Sequence, residues 1–256
     1  MEKLTIVKVG GKIVEEEQSL RQLLEDFSQI EGFKLLVHGG GRSATRLAER
    51  LGIENRMVNG RRITDKETLE VVTMVYGGLV NKNIVAGLQA LSVNALGLTG
   101  ADMNIMRSEK RPVAEIDYGY VGDVKEVDIS VLSNLIFQGV VPILAPLTHD
   151  REGHILNTNA DTIAGEAAKA LAKVFNVTLV FCFEKKGVLM DENDDESVIK
   201  KLQKPDFARL VDEGVIQGGM IPKLENAFES LEAGVHEVVI TNARNISGSD
   251  GTLITL

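Results

Sequence analysis

Lys34-Leu35-Leu36-Val37-His38-Gly39-Gly40-Gly41 reads as a buried strand running into a triple glycine, and Leu4-Thr5-Ile6-Val7-Lys8-Val9-Gly10-Gly11 repeats the pattern at the head of the chain. The earlier run is rich in β-branched residues, as strands covered on both faces are. Between the two, Leu20, Leu23, Leu24 and Phe27 fall at helical spacing within residues 15–30. Another helix opens behind the triple glycine and covers residues 43–51. Strand, helix, strand, helix at this pitch predicts parallel strands joined by right-handed crossovers. Glycines at the ends of such strands let backbone N–H groups and helix N-termini approach an anion closely. Two glycine runs, one beside a lysine, point to a ligand rich in phosphate or carboxylate. Phosphoryl transfer is the working expectation.

The same alternation continues along the chain. Thr64, with Glu67 completing a capping box, starts a helix that runs through Tyr76; a second covers 79–90 and precedes a strand at 95–98. Residues 102–128 are irregular or hairpin-like, with alternation across 114–118 and turns at Gly119 and Gly122. A helix at 129–138, a strand at 140–144, a hairpin turn at 150–153, a small-residue helix at 161–175 and a strand at 178–183 follow. Beyond the acidic connection 191–206 come helices at 205–213 and 222–233, a strand at 237–240, and an edge strand within 249–256. The whole predicts a three-layer α/β/α sandwich around a central, mostly parallel sheet. Its N-terminal lobe would span residues 1–175 and its C-terminal lobe 176–256.

Bulk composition narrows the class. The 28 basic against 37 acidic side chains leave a net charge of −9, a poor match to nucleic acid, which is bound through excess positive charge. Cys182 is the only cysteine and lies in an apolar run, so it reads as a buried strand residue; neither an internal disulfide nor a thiolate zinc cluster can form. The four histidines, 38, 149, 154 and 236, show no metal-ligand spacing. Met1-Glu2-Lys3 leads straight into a strand without signal-peptide character, and no apolar stretch approaches the ~18 residues that span a bilayer. A cytoplasmic protein without a membrane partner is the simplest expectation.

Lys8 breaks the apolar pattern of its strand. It either snorkels to an edge or is aimed from the strand end at a phosphate, and the glycines that follow favour the second. The Gly39–Gly41 run serves a tight bend or ligand approach; His38 serves a local hydrogen bond or a supporting role at the site. Neither the P-loop nor the dinucleotide glycine pattern occurs. Arg61-Arg62 is either a solvated pair or supplies one guanidinium for a carboxylate. Asn157, Asn159 and Asp161 would share a face in extended chain, while Asp161 could equally cap the following helix or orient lysines. Lys223 follows Gly218-Gly219-Met220-Ile221-Pro222 at a helix start, where a cation is unfavourable unless an anion binds. Gly248-Ser249-Asp250-Gly251-Thr252 is a further backbone-rich candidate. There is no zincin pattern and no serine between glycines in the hydrolase pattern. A carboxylate acceptor with a pKa of ~4.3 needs no general base, only positive charge and alignment.

These stretches together resemble acetylglutamate kinases of the amino-acid kinase superfamily, over essentially the full length. The resemblance rests on Val7–Gly11, Val37–Gly41, Asn59-Gly60-Arg61-Arg62-Ile63-Thr64, Gly97-Leu98-Thr99-Gly100-Ala101-Asp102, Gly119-Tyr120-Val121-Gly122, Leu156-Asn157-Thr158-Asn159-Ala160-Asp161 and Gly218–Lys223, in that order. It implies an N-terminal lobe for an N-acylated glutamate and a C-terminal lobe for ATP, with the γ-phosphoryl passing to the side-chain carboxylate in the second step of arginine biosynthesis. By the same resemblance Lys8 and Lys223 neutralise the moving phosphoryl and Asp161 holds them. Gly40, Gly41, Arg62 and Asn157 bind the acylated amino acid. Lys8, Gly10, Gly11, Glu184, Gly187, Gly218, Met220 and Lys223 face ATP. Mg²⁺ arrives on the nucleotide phosphates, with no side chain assigned to it.

One departure stands out, and the substrate-side segments 77–83 and 101–104 leave the size of the acyl group open. Relatives show threonine-aspartate and a proline before glycine-valine-leucine, where this chain has Phe183-Glu184-Lys185-Lys186-Gly187-Val188-Leu189. Arginine-inhibited relatives carry an extra N-terminal helix that builds a hexamer, so a chain opening at its first strand resembles the homodimeric, feedback-insensitive form. An N-succinyl-L-glutamate kinase, another carboxylate or carbamate kinase, and a non-catalytic anion sensor on the same fold remain as alternatives.

Overall fold

A single eight-stranded sheet organises the chain, in the order β12-β14-β13-β11-β1-β2-β8-β5. The computed structural model describes residues 1–58, 60–246 and 250–256. The strands are β1 (Lys3–Val9), β2 (Phe33–His38), β3 (Met57–Val58), β4 (Arg61–Arg62), β5 (Ala95–Leu98), β6 (Met106–Lys110), β7 (Gly122–Val127), β8 (Val141–Leu144), β9 (Leu147–His149), β10 (Ile155–Asn157), β11 (Asn176–Phe183), β12 (Lys201–Gln203), β13 (Glu237–Asn242) and β14 (Thr252–Thr255). Helices are α1 (Gly11–Glu15), α2 (Glu17–Ser28), α3 (Gly41–Arg50), α4 (Lys66–Val72), α5 (Asn81–Ala90), α6 (Ile129–Phe137), α7 (Ala160–Leu171), α8 (Lys204–Asp212) and α9 (Met220–Glu232). Every pairing in the main sheet is parallel except β13 with β14. A second sheet, β10-β9-β6-β7, and the small β3-β4 pair lie beside it.

The period-2 alternation of the strands sorts side chains to two cores. Leu4 and Ile6 of β1, with Leu35 and Val37 of β2, pack with Ala164, Ala168 and Leu224 of α7 and α9. Val7 and Val9, with Leu36, pack with Leu24, Ala44, Val72 and Ile84 on the opposite side. Those two helical layers make the α/β/α sandwich that the sequence predicts. The parity also settles the odd lysine: Lys8 shares the α7–α9 side with Leu4 and Ile6, whereas His38 points to the α5 side.

Several local expectations need correction. Asp65, not Thr64, caps α4: its carboxylate accepts from Thr68 N at 2.9 Å, while the Thr64 hydroxyl donates to Arg62 O. The two helices split at Gly77-Gly78 are one run, because a π-helical stretch, Thr73–Val80, joins α4 to α5 without a break. That run, Lys66–Ala90, is 25 residues long with a mean hydropathy of 1.3, so one helix is long and apolar enough by length and composition to cross a bilayer, contrary to the reading of shorter segments. Here Val71, Val75, Ile84 and Leu88 on it are buried in the protein's own core.

Residues 114–118 form no strand; the hairpin arms are β6 and β7. The small-residue helix ends at Leu171 rather than 175. The C-terminal strand lies inside the sheet, and β12, from the acidic connection, takes the edge. Asn59, part of the expected turn, Ser247, and Gly248 and Ser249 of the C-terminal glycine motif lie outside the described residues.

Candidate active site

The parallel register of β1 and β2 sets Val9 opposite His38, so the glycines after both strands emerge side by side. Gly39 N donates to Val9 O at 3.0 Å. A Cβ at Gly11 would stand 3.2 Å from Gly40 N and 3.3 Å from Gly41 N, and one at Gly39 would stand 3.0 Å from Gly11 N. Only glycine lets two backbone turns approach this closely. Gly40 has φ +156°, and a Cβ on it would press on the Tyr76 ring at 3.0 Å. Here α1 and α3 both begin, and among the described residues no protein acceptor meets the N–H of Gly40 or Gly41. Two helix N-termini thus converge on one spot, an arrangement suited to phosphate oxygens. The sequence expectation of close ligand approach has a geometric basis.

Beneath this cradle lies a buried ionic triad. Asp161, in the first turn of α7, forms ion pairs with Lys8 Nζ at 2.6 Å and Lys223 Nζ at 2.7 Å. The cap of α7 is Asn159, whose Oδ1 accepts from Asp161 N and Thr162 N, so Asp161 is not the cap and its carboxylate is left for the lysines. Burial pushes the Asp161 carboxyl up, but Lys8 and then Lys223 overcome it and hold it down at about 2. Burial, reinforced by Lys8, lowers Lys223 against the opposing pull of Asp161. Two ammonium groups on one carboxylate leave one positive charge uncompensated in a poorly solvated place, which attracts an anion strongly. Phe183, on the same sheet face, walls the triad: its ring centre lies 4.2 Å from Lys223 Nζ and 5.0 Å from Lys8 Nζ.

Gly40, Gly41, Arg62 and Asn157 line a common cavity of about 210 Å³. Arg62 is buried, and its guanidinium donates to Gly41 O and Thr45 Oγ1, both at 2.9 Å, and to Asn55 Oδ1. It therefore braces the glycine turn as well as facing the cavity. Arg61 is exposed yet lines the same cavity. Asn157 donates to Thr64 Oγ1 at 2.9 Å. Arg111 enters from the hairpin, with Nε and Nη2 on the Asp123 carboxylate and Nη1 buried without a protein partner.

A second cavity, of about 490 Å³, is lined by Gly187, Val188, Ile216, Gln217 and Met220. A Cβ at Gly187 would stand 2.6 Å from Thr252 Oγ1, which accepts from Val188 N, so glycine is required for that loop to close on β14. Gly218 has φ +54° and turns the chain into α9. Glu184 stands apart from this cavity. It lies in the bend after β11, where it accepts from Lys12 of α1 at 2.9 Å and Arg42 of α3 at 3.3 Å. Gly10 and Gly11 belong to the glycine cradle.

Sequence reasoning missed Phe183, Tyr76, Thr45, Asn55 and Arg111. Only Phe183 carried a signal, since strand alternation places it on the face of Phe181, the register partner of Lys8. One acid–histidine cluster, Asp150, Glu152 and His154, does bring ligand atoms within 4.8 Å of one another. It sits on the β9–β10 turn, and its groups bond each other, with His154 Nδ1 2.7 Å from Asp150 Oδ2.

The model of the amino acid kinase family matches residues 3–242. A curated acetylglutamate kinase of Parabacteroides distasonis is 73% identical over 254 residues, which cover 99% of this chain and all of that one. The acetylglutamate kinase of Bacteroides fragilis is 72% identical, over 99% of this chain and 97% of its own. Among solved structures, smu.665 from Streptococcus mutans UA159 superposes with a TM-score of 0.83 at 30% identity, over 98% of both chains. The chain belongs to the amino acid kinase family, and within it to the acetylglutamate kinases.

Proposed function

We propose that the protein phosphorylates the side-chain carboxylate of N-acetyl-L-glutamate with ATP, the second step of arginine biosynthesis. The observation that carries this reading is the triad: two lysines from opposite ends of the chain meet on one carboxylate beside a glycine cradle. In the reaction a carboxylate oxygen of the substrate attacks the γ-phosphorus. The bond to the bridging oxygen breaks, and ADP departs with the electron pair. Both partners are anions, so the requirement is charge neutralisation and alignment rather than proton removal. Lys8 and Lys223 supply the charge, Asp161 fixes their separation, and the N–H groups of Gly11, Gly40 and Gly41 face the phosphoryl oxygens. Arg62 and Asn157 hold the amino-acid end in the smaller cavity.

Residues 1–175 would carry the acylated amino acid and residues 176–256 the nucleotide, whose base fits the larger cavity beside Gly187, Gly218 and Met220. Asp161 is committed to two lysines, so the residues present fit a Mg²⁺ carried in on phosphate oxygens rather than one held by a side chain. Exposed Met74 and Leu79 on the long helix and Leu96 on edge strand β5 support a homodimer formed on that side.

One observation favours a second substrate. Arg111 lines the smaller cavity and brings an additional guanidinium there, where the extra carboxylate of N-succinyl-L-glutamate could be met. The test is an acyl-phosphate assay with hydroxylamine trapping, run with ATP on glutamate, N-acetyl-L-glutamate, N-succinyl-L-glutamate and carbamate. The main reading expects the highest kcat/KM on N-acetyl-L-glutamate. A preference for the succinyl compound that Arg111→Ala abolishes would transfer the assignment, and turnover of carbamate alone would end both.

A further inference from the structure

His38 closes β2 with its ring fully buried on the α5 side of the sheet. Its two nitrogens meet different partners. Nδ1 lies 2.7 Å from Gly39 O, a carbonyl that can only accept, so Nδ1 carries the proton. Nε2 then offers a lone pair, and Asn81 Nδ2 donates to it at 3.1 Å. The same Nδ2 donates to Ile143 O at 2.9 Å, while Asn81 Oδ1 accepts from Lys82 Nζ at 3.0 Å. Lys82 Nζ also donates to Gly97 O at 3.0 Å. A Cβ at Gly97 would collide with the Asn81 side chain, so that glycine keeps the place open. Only one orientation of the amide and one tautomer of the ring satisfy this chain of bonds. Burial, with a smaller push from the Lys82 ammonium, outweighs the Gly39 bond and takes His38 down to about 4, leaving the ring neutral near pH 7.

The consequence falls on the Gly39–Gly40 peptide. A trans peptide holds its C=O and N–H on opposite sides. With the Gly39 carbonyl drawn to the imidazole, the Gly40 N–H must point the other way, and among the described residues no protein acceptor meets it. Gly39 N–H is fixed to Val9 O, so the turn is tied at both ends. Turned over, the same peptide would present an oxygen to the cradle and repel an anion there.

We propose that His38 and Asn81 are positioning residues for phosphoryl transfer: the neutral ring, oriented by the Asn81 amide, anchors the Gly39 carbonyl and thereby aims the Gly40 N–H at the anion. This deepens the functional reading above and rests on it.

The test uses the full chain with ATP and N-acetyl-L-glutamate. His38→Asn places an amide nitrogen where Nδ1 stood and keeps a donor for Gly39, whereas His38→Gln reaches towards Asn81 and loses it. Removal of one anion-binding donor costs about 10²–10³ in kcat. His38→Asn is expected to stay within about 5-fold of the parent kcat, and His38→Gln and Asn81→Leu to fall by about 30-fold or more, with KM values moving less than about 3-fold. Equal kcat for His38→Asn and His38→Gln, or losses confined to KM, overturn the proposal. Nitrogen-15 NMR of the parent protein reads the ring without relying on any variant: a protonated Nδ1 with a bare Nε2 is expected, and the opposite tautomer overturns the proposal as well. An inert parent protein would instead overturn the functional reading. That result is separable, because the tautomer is measured without turnover.

Discussion

The triad under the glycine cradle and the loop that follows β11 use the same residue types under opposite conditions. In the triad, the Lys8, Asp161 and Lys223 side chains are 7%, 9% and 25% exposed, and the two ammonium groups share one carboxylate. In the loop, Lys185 pairs with Asp195 and Lys186 with Glu196, but those side chains are 45% to 79% exposed. Water and salt screen the second set, so its pairs contribute little. In the first set the charges are held largely away from water, and removing Asp161 would leave two ammonium groups facing each other in a low-dielectric field. Position relative to the sheet, not the number of pairs, decides which lysines can do chemistry.

The largest expected effect that bears on this contrast is kinetic. Lys8→Ala and Lys223→Ala should each lower kcat by at least ~100-fold, since each removes charge from the transition state. Either variant still leaves Asp161 one partner, so far-UV circular dichroism should match the parent; a collapsed fold would mean that the lysines are structural instead. Next comes acid stability. Asp161, held at about 2 against an ordinary 3.8, stabilises the fold above about pH 4 and loses that contribution as pH falls through about 2. The stability gap between the parent and Asp161→Asn should therefore shrink by about 2 kcal/mol between pH 6 and pH 2, measured by urea unfolding. A gap independent of pH would show that the carboxylate is not charged in the triad. The smallest effect belongs to the loop: Lys186→Ala and Glu196→Ala should leave kcat unchanged and Tm within about 2 °C. A loss of activity there would erase the distinction between the two regions.

Much of this arrangement was legible in the residues. Lys8 violates the pattern of its strand, and the glycines that follow mark where that strand ends, so the meeting of a buried lysine with a glycine turn could be read before any coordinates. Asp161 was harder, because a residue at a helix start invites the capping explanation; only Asn159 taking the cap reveals that its carboxylate is free for lysines. Thr64 misled because the side chain one residue on, Asp65, takes the cap of α4 instead. The long helix was cut in two because Gly77-Gly78 reads as a breaker, whereas a π-helical stretch carries the chain through. Arg111 and Asn55 reach the site through tertiary contacts of segments that carry no local pattern, and Tyr76 reaches it from a helix whose spacing explains its burial in the core without pointing to the site. Glu184 has the residue type the resemblance expects, and in the bend after β11 it pairs with Lys12 and Arg42.

A crystal structure with a non-hydrolysable ATP analogue, Mg²⁺ and N-acetyl-L-glutamate tests the pairing of the two lysines over one phosphoryl group most directly. Both Nζ atoms should lie within about 3.2 Å of oxygens on the γ-phosphoryl group or the acceptor carboxylate, with Asp161 still between them. Either ammonium standing beyond about 5 Å from all of those oxygens, outside any direct bond, would contradict it.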